Sequence, residues 1–92
     1  MSWRLIRADA LHAREWDDAG VVYDAASGNT HLIDALGLEL LDLLRLRPWR
    51  LKELVAELHA HLPQALDAQE ASLLLSGKLE QLARLDLVAP AA

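Results

Sequence analysis

From residue 20 to residue 46 the chain reads GVVYDAASGNTHLIDALGLELLDLLRL, and its pattern changes character at Asp34. Val21, Val22 and Tyr23 are strong strand formers. The run Asp24-Ala25-Ala26-Ser27-Gly28-Asn29 is turn chemistry. Asp and Ser bond nearby backbone, while Gly and Asn tolerate a positive φ. Thr30, His31, Leu32 and Ile33 form the return strand, so the segment predicts a β-hairpin. Asp34 then stands where a helix N-cap belongs, ahead of a Leu-rich helical pattern.

Upstream, Trp3 and Leu5 alternate with Arg4 and Arg7, and Leu11, Ala13 and Glu15 alternate with His12, Arg14 and Trp16. This predicts at least one strand, ending at the turn Asp17-Asp18-Ala19-Gly20, and allows two. A lone hairpin is barely stable in water, so a third strand is physically welcome. Downstream, helical periodicity predicts three helices, over about 35–46, 51–62 and 67–85. The first has Leu36, Leu40, Leu43 and Leu44 on one face, Leu41 on its flank, and closes at Pro48. The second carries Leu51, Leu54, Val55, Leu58 and Leu62 and ends at Pro63. The third opens on Asp67-Ala68-Gln69-Glu70, the spacing of a capping box, with Ala71, Leu75, Leu79 and Leu82 as its inward stripe. Gly77 falls inside it and weakens it. Leu87-Val88-Ala89 is an apolar tail, readable as a strand or a docked extension. The expected fold class is α+β: strands within about 3–33, then three helices, in one domain over residues 1–92.

Composition narrows the function classes. The chain is 53% hydrophobic and 25% charged, which suits a folded domain with a modest leucine core. Its net charge of −5 disfavours nucleic acid, where affinity comes from Lys and Arg on phosphates. Arg45, Arg47, Arg50 and Lys52 cluster around one loop, as a solvated helix–helix turn does. With no Cys, disulfides and thiolate metal sites are excluded. The start MSWRLIRADAL lacks the apolar core of a signal peptide, and no run of ~18 apolar residues exists to span a membrane, so the expected location is cytoplasmic.

Sequence chemistry for catalysis is missing. His59 and His61 are two apart on a predicted helix and point apart, whereas metal pairs on helices use i, i+4 spacing. His12 and His31 have no carboxylate placed to complete a site, so neither a metal nor another cofactor is expected. There is no Gly-x-Ser-x-Gly elbow and no phosphate-cradling glycine loop. Glu15, Asp17 and Asp18 read as a solvated turn rather than a catalytic carboxylate pair. No enzyme activity is expected.

Several stretches together resemble the PqqD-like peptide chaperones, or RiPP recognition elements, in the branch found with HPr-kinase-related proteins. They are Gly20-Val-Val-Tyr-Asp24, Ser27-Gly28-Asn29-Thr30-His31-Leu32-Ile33-Asp34, Leu40-Leu41, Leu51-Lys-Glu-Leu54 and Leu82-Ala-Arg-Leu-Asp-Leu-Val88. The resemblance covers about residues 16–88 and includes no catalytic motif. It departs at Asp34, where the family pattern usually has Asn, and at Asp86, where Gly commonly precedes the final Leu-Val. Neither position is expected to touch the binding groove.

The resemblance implies a winged-helix-like domain, a three-stranded antiparallel sheet followed by three helices. It implies binding of a precursor's leader peptide as a strand beside the third strand and against the third helix, and presentation to a modifying enzyme. Here the strand is Asn29, Thr30, His31, Leu32 and Ile33. On the helix, Leu74, Gly77, Lys78 and Gln81 flank the inward stripe, and Leu73 lies nearly opposite it. These ten residues are the candidate peptide site. His31 and Ile33 point to one sheet face and Thr30 and Leu32 to the other; which pair faces the core stays open. Two rival readings remain: a winged-helix DNA-binding domain, and a small structural subunit whose open edge self-pairs into a homodimer. The third helix argues against DNA, because Glu70, Lys78, Glu80 and Arg84 balance to zero. Trp49 is read as a lid over helix ends or as an interface residue.

Overall fold

The computed structural model describes residues 2–17, 19–62 and 65–91. Two predicted features, Asp18 in the hairpin turn and Pro63 as the helix stop, lie outside them. The chain is α+β. Strands β1 (Ser2–Leu5), β2 (Leu11–Trp16), β3 (Ala19–Asp24) and β4 (Asn29–Asp34) precede helix α1 (Ala35–Leu46). A two-residue strand β5 (Trp49–Arg50), helices α2 (Leu51–Leu58) and α3 (Ala68–Arg84), and strand β6 (Val88–Ala91) complete it.

β2, β3 and β4 form the expected antiparallel three-stranded sheet in that order. This sheet followed by three helices is compatible with a winged-helix-like fold. A second sheet, ordered β5-β1-β6, ties the two ends of the chain together: Leu5 pairs with Val88 and Trp3 with Trp49. Both upstream strands allowed by the sequence therefore exist, but they belong to different sheets. The apolar tail after α3 is a strand.

Local chemistry fixes the helix ends. Asp34 caps α1 by accepting from Gly37 N at 2.9 Å. Asp67 and Glu70 form the expected capping box on α3, with Glu70 N donating to Asp67 Oδ1 at 2.7 Å and Asp67 N to Glu70 Oε1 at 3.2 Å. α2 is shorter than its periodicity suggests, passing into a 3-10 turn at His59–His61. Asp86, in the position where the resembling family has Gly, adopts φ 60°, a left-handed conformation that Asp tolerates better than most residues.

The core lies between the helices and the inner face of the β2-β3-β4 sheet. Leu40, Leu44, Leu54, Leu58, Leu75, Leu79, Leu82 and Leu87 are buried there with Val22 and Ile33. On α1 the buried set includes Leu38, which lies off the predicted stripe, while Leu36 and Leu43 pack only partly against it. The aromatics divide in two. Trp3 and Trp49 pack on the core, whereas Trp16 and Tyr23 are exposed on the sheet's outer face. Trp49 does act as a lid on α1: its Nε1 donates to Leu43 O at 2.7 Å, and the Arg47 guanidinium stacks 3.7 Å from its ring centroid.

Among the described residues one polar side chain is buried in this core. Asp24 is 1% exposed, and its Oδ2 accepts from Arg7 Nε at 2.9 Å and Nη2 at 2.6 Å. Its Oδ1 accepts from the backbone of Ala26 and Ser27, shaping the hairpin turn, and Arg7 Nη2 also reaches Asp86 O. The Asp24 carboxylate thus joins the β1–β2 connection to the β3–β4 turn, and Arg7 carries the link on to Asp86, just after α3.

Candidate functional site

In an antiparallel ladder the inter-strand bonds come from alternate residues, so one anchored bond fixes the parity of the whole sheet. Ala25 N donates to Ala10 O at 2.9 Å, one step beyond the paired Leu11 and Asp24. Counting along the unbroken register, the backbone groups of Gly20, Val22 and Asp24 face β4. Their partners Ile33, His31 and Asn29 face back toward β3. Thr30 and Leu32 therefore turn their N–H and C=O groups outward, where β4 is the sheet edge and no other described strand pairs with it.

The opposite edge, β2, is blunted. There the outward carbonyl of Leu11 is taken by Arg45 Nη2 at 3.3 Å, and Arg45 Nη1 holds Ala8 O at 3.1 Å. Covering an edge in this way suppresses unwanted strand pairing. β4 has no comparable guard among the described residues.

Beside β4 runs a groove of about 470 Å³, lined by Ala19, Leu32, Ile33, Asp34, Gly37, Lys78, Gln81, Leu82 and Leu85. One wall is the β4 edge and the other is the C-terminal half of α3. Gly37 lets the start of α1 close against β4, since a Cβ there would meet Ile33 Cγ2 at 2.5 Å. The lining is largely apolar. Its two charged groups, Lys78 and Asp34, bond each other across the groove, and Lys78 Nζ also reaches Gln81 Oε1 at 3.5 Å. Burial alone would raise the Asp34 carboxyl. The Lys78 ammonium and the Gly37 N–H outweigh it and hold that carboxyl below the usual carboxylate range.

The structure distributes the ten candidate residues unevenly. Leu32, Ile33, Lys78 and Gln81 line the groove. Of the sheet faces, His31 and Ile33 take the core side, half-buried and buried, while Thr30 and Leu32 face out, Leu32 being 78% exposed. Asn29 is exposed at the far end of β4. Leu73, Leu74 and Gly77 lie on α3 outside the groove lining, both leucines being exposed. Asp34 corrects an expectation: a position expected to stay clear of the groove forms part of its wall.

Leu82 and Leu85, by sequence a core-stripe residue and a helix end, both line the groove. The helical spacing of Lys78, Gln81 and Leu85 is the signal that these three share a face. Ala19 and Gly37 carry no sequence signal for such a role. Among the described residues no three His, Asp or Glu side chains converge to hold a metal ion. No described helix is long and apolar enough to cross a membrane.

Fold and site together define an α+β protein, compatible with a winged-helix-like fold, whose β4 edge, unguarded among the described residues, faces an apolar groove. A solved structure has the same fold. TbiB1, in complex with the TbiA(beta) leader peptide, matches with a TM-score of 0.72 at 24% sequence identity, over 97% of this chain and 98% of that one. No family model matches the sequence, and no curated protein matches it either.

Proposed function

We propose that this chain is a non-catalytic peptide-binding module of the PqqD-like, RiPP-recognition-element kind. In this reading it takes a leader segment of a precursor peptide as an added strand at β4, beside α3, and presents it to a modifying enzyme. The observation that carries the reading is the coincidence of two features: the outward backbone groups of Thr30 and Leu32, and the apolar groove that begins at the same edge. Strand addition needs both. Main-chain hydrogen bonds supply general affinity, and side-chain pockets supply specificity. The likeness to TbiB1, a protein captured with a leader peptide, supports it.

A DNA-binding role finds no support in α3. Its one lysine, Lys78, is tied to Asp34, and the rest of the helix offers phosphate only Arg84. The test is a polarisation titration at physiological salt with two labelled ligands, the leader segment of the cognate precursor and a DNA duplex. The peptide should bind in the micromolar range or tighter. The duplex should bind no more tightly than about 10⁻⁴ M, the weak end of nonspecific affinity. Micromolar duplex binding with no peptide binding would reverse the assignment.

A further inference from the structure

The face of the β2-β3-β4 sheet turned away from the helices holds two of the chain's four aromatic residues, Trp16 and Tyr23. Trp16 is 58% exposed and Tyr23 43%. Cross-strand partners share a face, so Arg14, Val21 and Leu32 form its middle row, with the Trp16 row on one side and the Tyr23 row on the other. Between the two aromatics lies a recess of about 370 Å³, lined also by His12, Arg14 and Val21. The sheet supplies the core through its opposite face, with Leu11, Val22 and Ile33, so packing within the chain does not call for aromatics here. Trp, Tyr and Arg are the types in which binding energy concentrates at protein–protein interfaces. Arg14 forms no ion pair with a described residue. The one carboxylate in the three rows, Asp34, is committed to Lys78 and to the α1 cap.

Size and charge choose the occupant. Three strands about 4.8 Å apart, with six residues at about 3.4 Å each, span roughly 300 Å². A stable dimer buries about 800 Å² on each partner. A second copy would also bring another Arg14 to the contact and no uncommitted carboxylate to meet it. A partner that comes and goes, and sets acidic groups beside apolar ones, suits the face. The face runs without a break onto β4, whose outer edge is open. A peptide strand added there widens the same surface by one strand and lays its outward side chains beside Leu32. A protein seated on the face therefore touches the chain and its leader together. That contact lets an enzyme acting on the precursor distinguish a loaded chain from an empty one.

We propose that this outer face, through Arg14, Trp16, Val21 and Tyr23, is the dock for the modifying enzyme and takes an apolar projection of it flanked by carboxylates. The dock rests on strand addition at β4. The test uses the full chain, its cognate precursor and the enzyme that processes that precursor, with processing rates read at increasing concentrations of the loaded chain. Trp16→Ser and Arg14→Glu should each raise KM for the loaded chain about tenfold and leave kcat as it is. Trp16→Phe should recover most of the loss. Both damaging variants should melt close to the parent and bind labelled leader with the parent's affinity. In calorimetry the enzyme should bind the loaded chain more tightly than the empty one. The parent's KM in both variants would overturn the dock and leave strand addition standing. A leader affinity that falls in step with the rise in KM would also overturn it, giving the face to the peptide. So would a dimer of the free chain that Trp16→Ser dissolves, giving the face to a second copy. If labelled leader does not bind the parent, strand addition falls and the dock with it.

Discussion

Proline at His31 is expected to destabilise the protein strongly, while proline at the adjacent Thr30 leaves it folded but a poorer partner for a peptide strand. The two positions differ in which way the N–H points, and the His31 side chain also faces the core while that of Thr30 faces out. His31 pairs with Val22, and its donor faces β3. Proline removes that donor and leaves the facing carbonyl without a partner in the sheet. An unsatisfied buried group costs roughly 1–3 kcal/mol, and the ring's intrusion into the ladder adds to it. Against a total stability of about 5–10 kcal/mol for a chain of this size, that is severe. Thr30 donates outward, where a sheet tolerates proline. Circular dichroism and thermal melting should show Thr30→Pro close to the parent and His31→Pro strongly destabilised. In calorimetry Thr30→Pro should bind the leader peptide at least about tenfold more weakly, having lost one main-chain bond to it and gained a ring in its path. The reverse pattern would mean that Thr30, not His31, donates to β3.

Removing the Asp24 carboxylate should cause the largest loss of stability of any single polar substitution. Asp24→Ala takes the carboxylate from the Arg7 guanidinium, releases the Ala26 and Ser27 amides and unlinks the β1–β2 connection from the β3–β4 turn. The Asp24 carboxylate is buried and Arg7 is half-buried, so breaking this pair costs more than removing a fully exposed one. A fall in melting temperature of roughly 10 °C is expected. The pH dependence has a definite sign. The Arg7 hydrogen bonds, opposed by burial and aided by the turn amides, lower the Asp24 carboxyl from 3.8 to about 2. A group whose folded pKa is depressed stabilises the fold above its unfolded value and loses that contribution as pH falls through the folded one. The parent should therefore lose stability between about pH 4 and pH 2 through this group. Asp24→Asn, already destabilised, should lack that component. Equal acid sensitivity of the two proteins would show that the clasp contributes nothing.

How much of the fold is legible in the sequence depends on range. The hairpin, α1 and α3 are readable because local rules dictate them: turn residues between β-formers, an Asp cap, a capping box and an unbroken leucine stripe. α3's buried set, Ala71, Leu75, Leu79 and Leu82, is the predicted one. The second sheet is not readable, because β1, β5 and β6 are short and pair across most of the chain. Nothing local to Trp49-Arg50 announces a strand. Asp24 shows the same limit. Its turn role follows from composition, but its partner Arg7 lies 17 residues away. At the candidate site the strand and helix are legible as separate elements. The groove between them is not, since Ala19, Gly37 and Asp34 enter it only through tertiary approach. Asp34 is the instructive case: as a cap it is predictable, and its second oxygen then pairs with Lys78 from a helix 44 residues on.

The central claim is that an extended peptide completes the sheet at the free edge of β4. Amide hydrogen exchange along β4, with and without the cognate leader peptide, tests it most directly. In the free protein the His31 and Ile33 amides, bonded to β3, should exchange slowly, and those of Thr30 and Leu32 quickly. Saturating peptide should slow Thr30 and Leu32 by roughly one to two orders of magnitude and leave His31 and Ile33 as they were. Peptide binding that leaves the Thr30 and Leu32 amides exchanging at their free rates would contradict strand addition at β4.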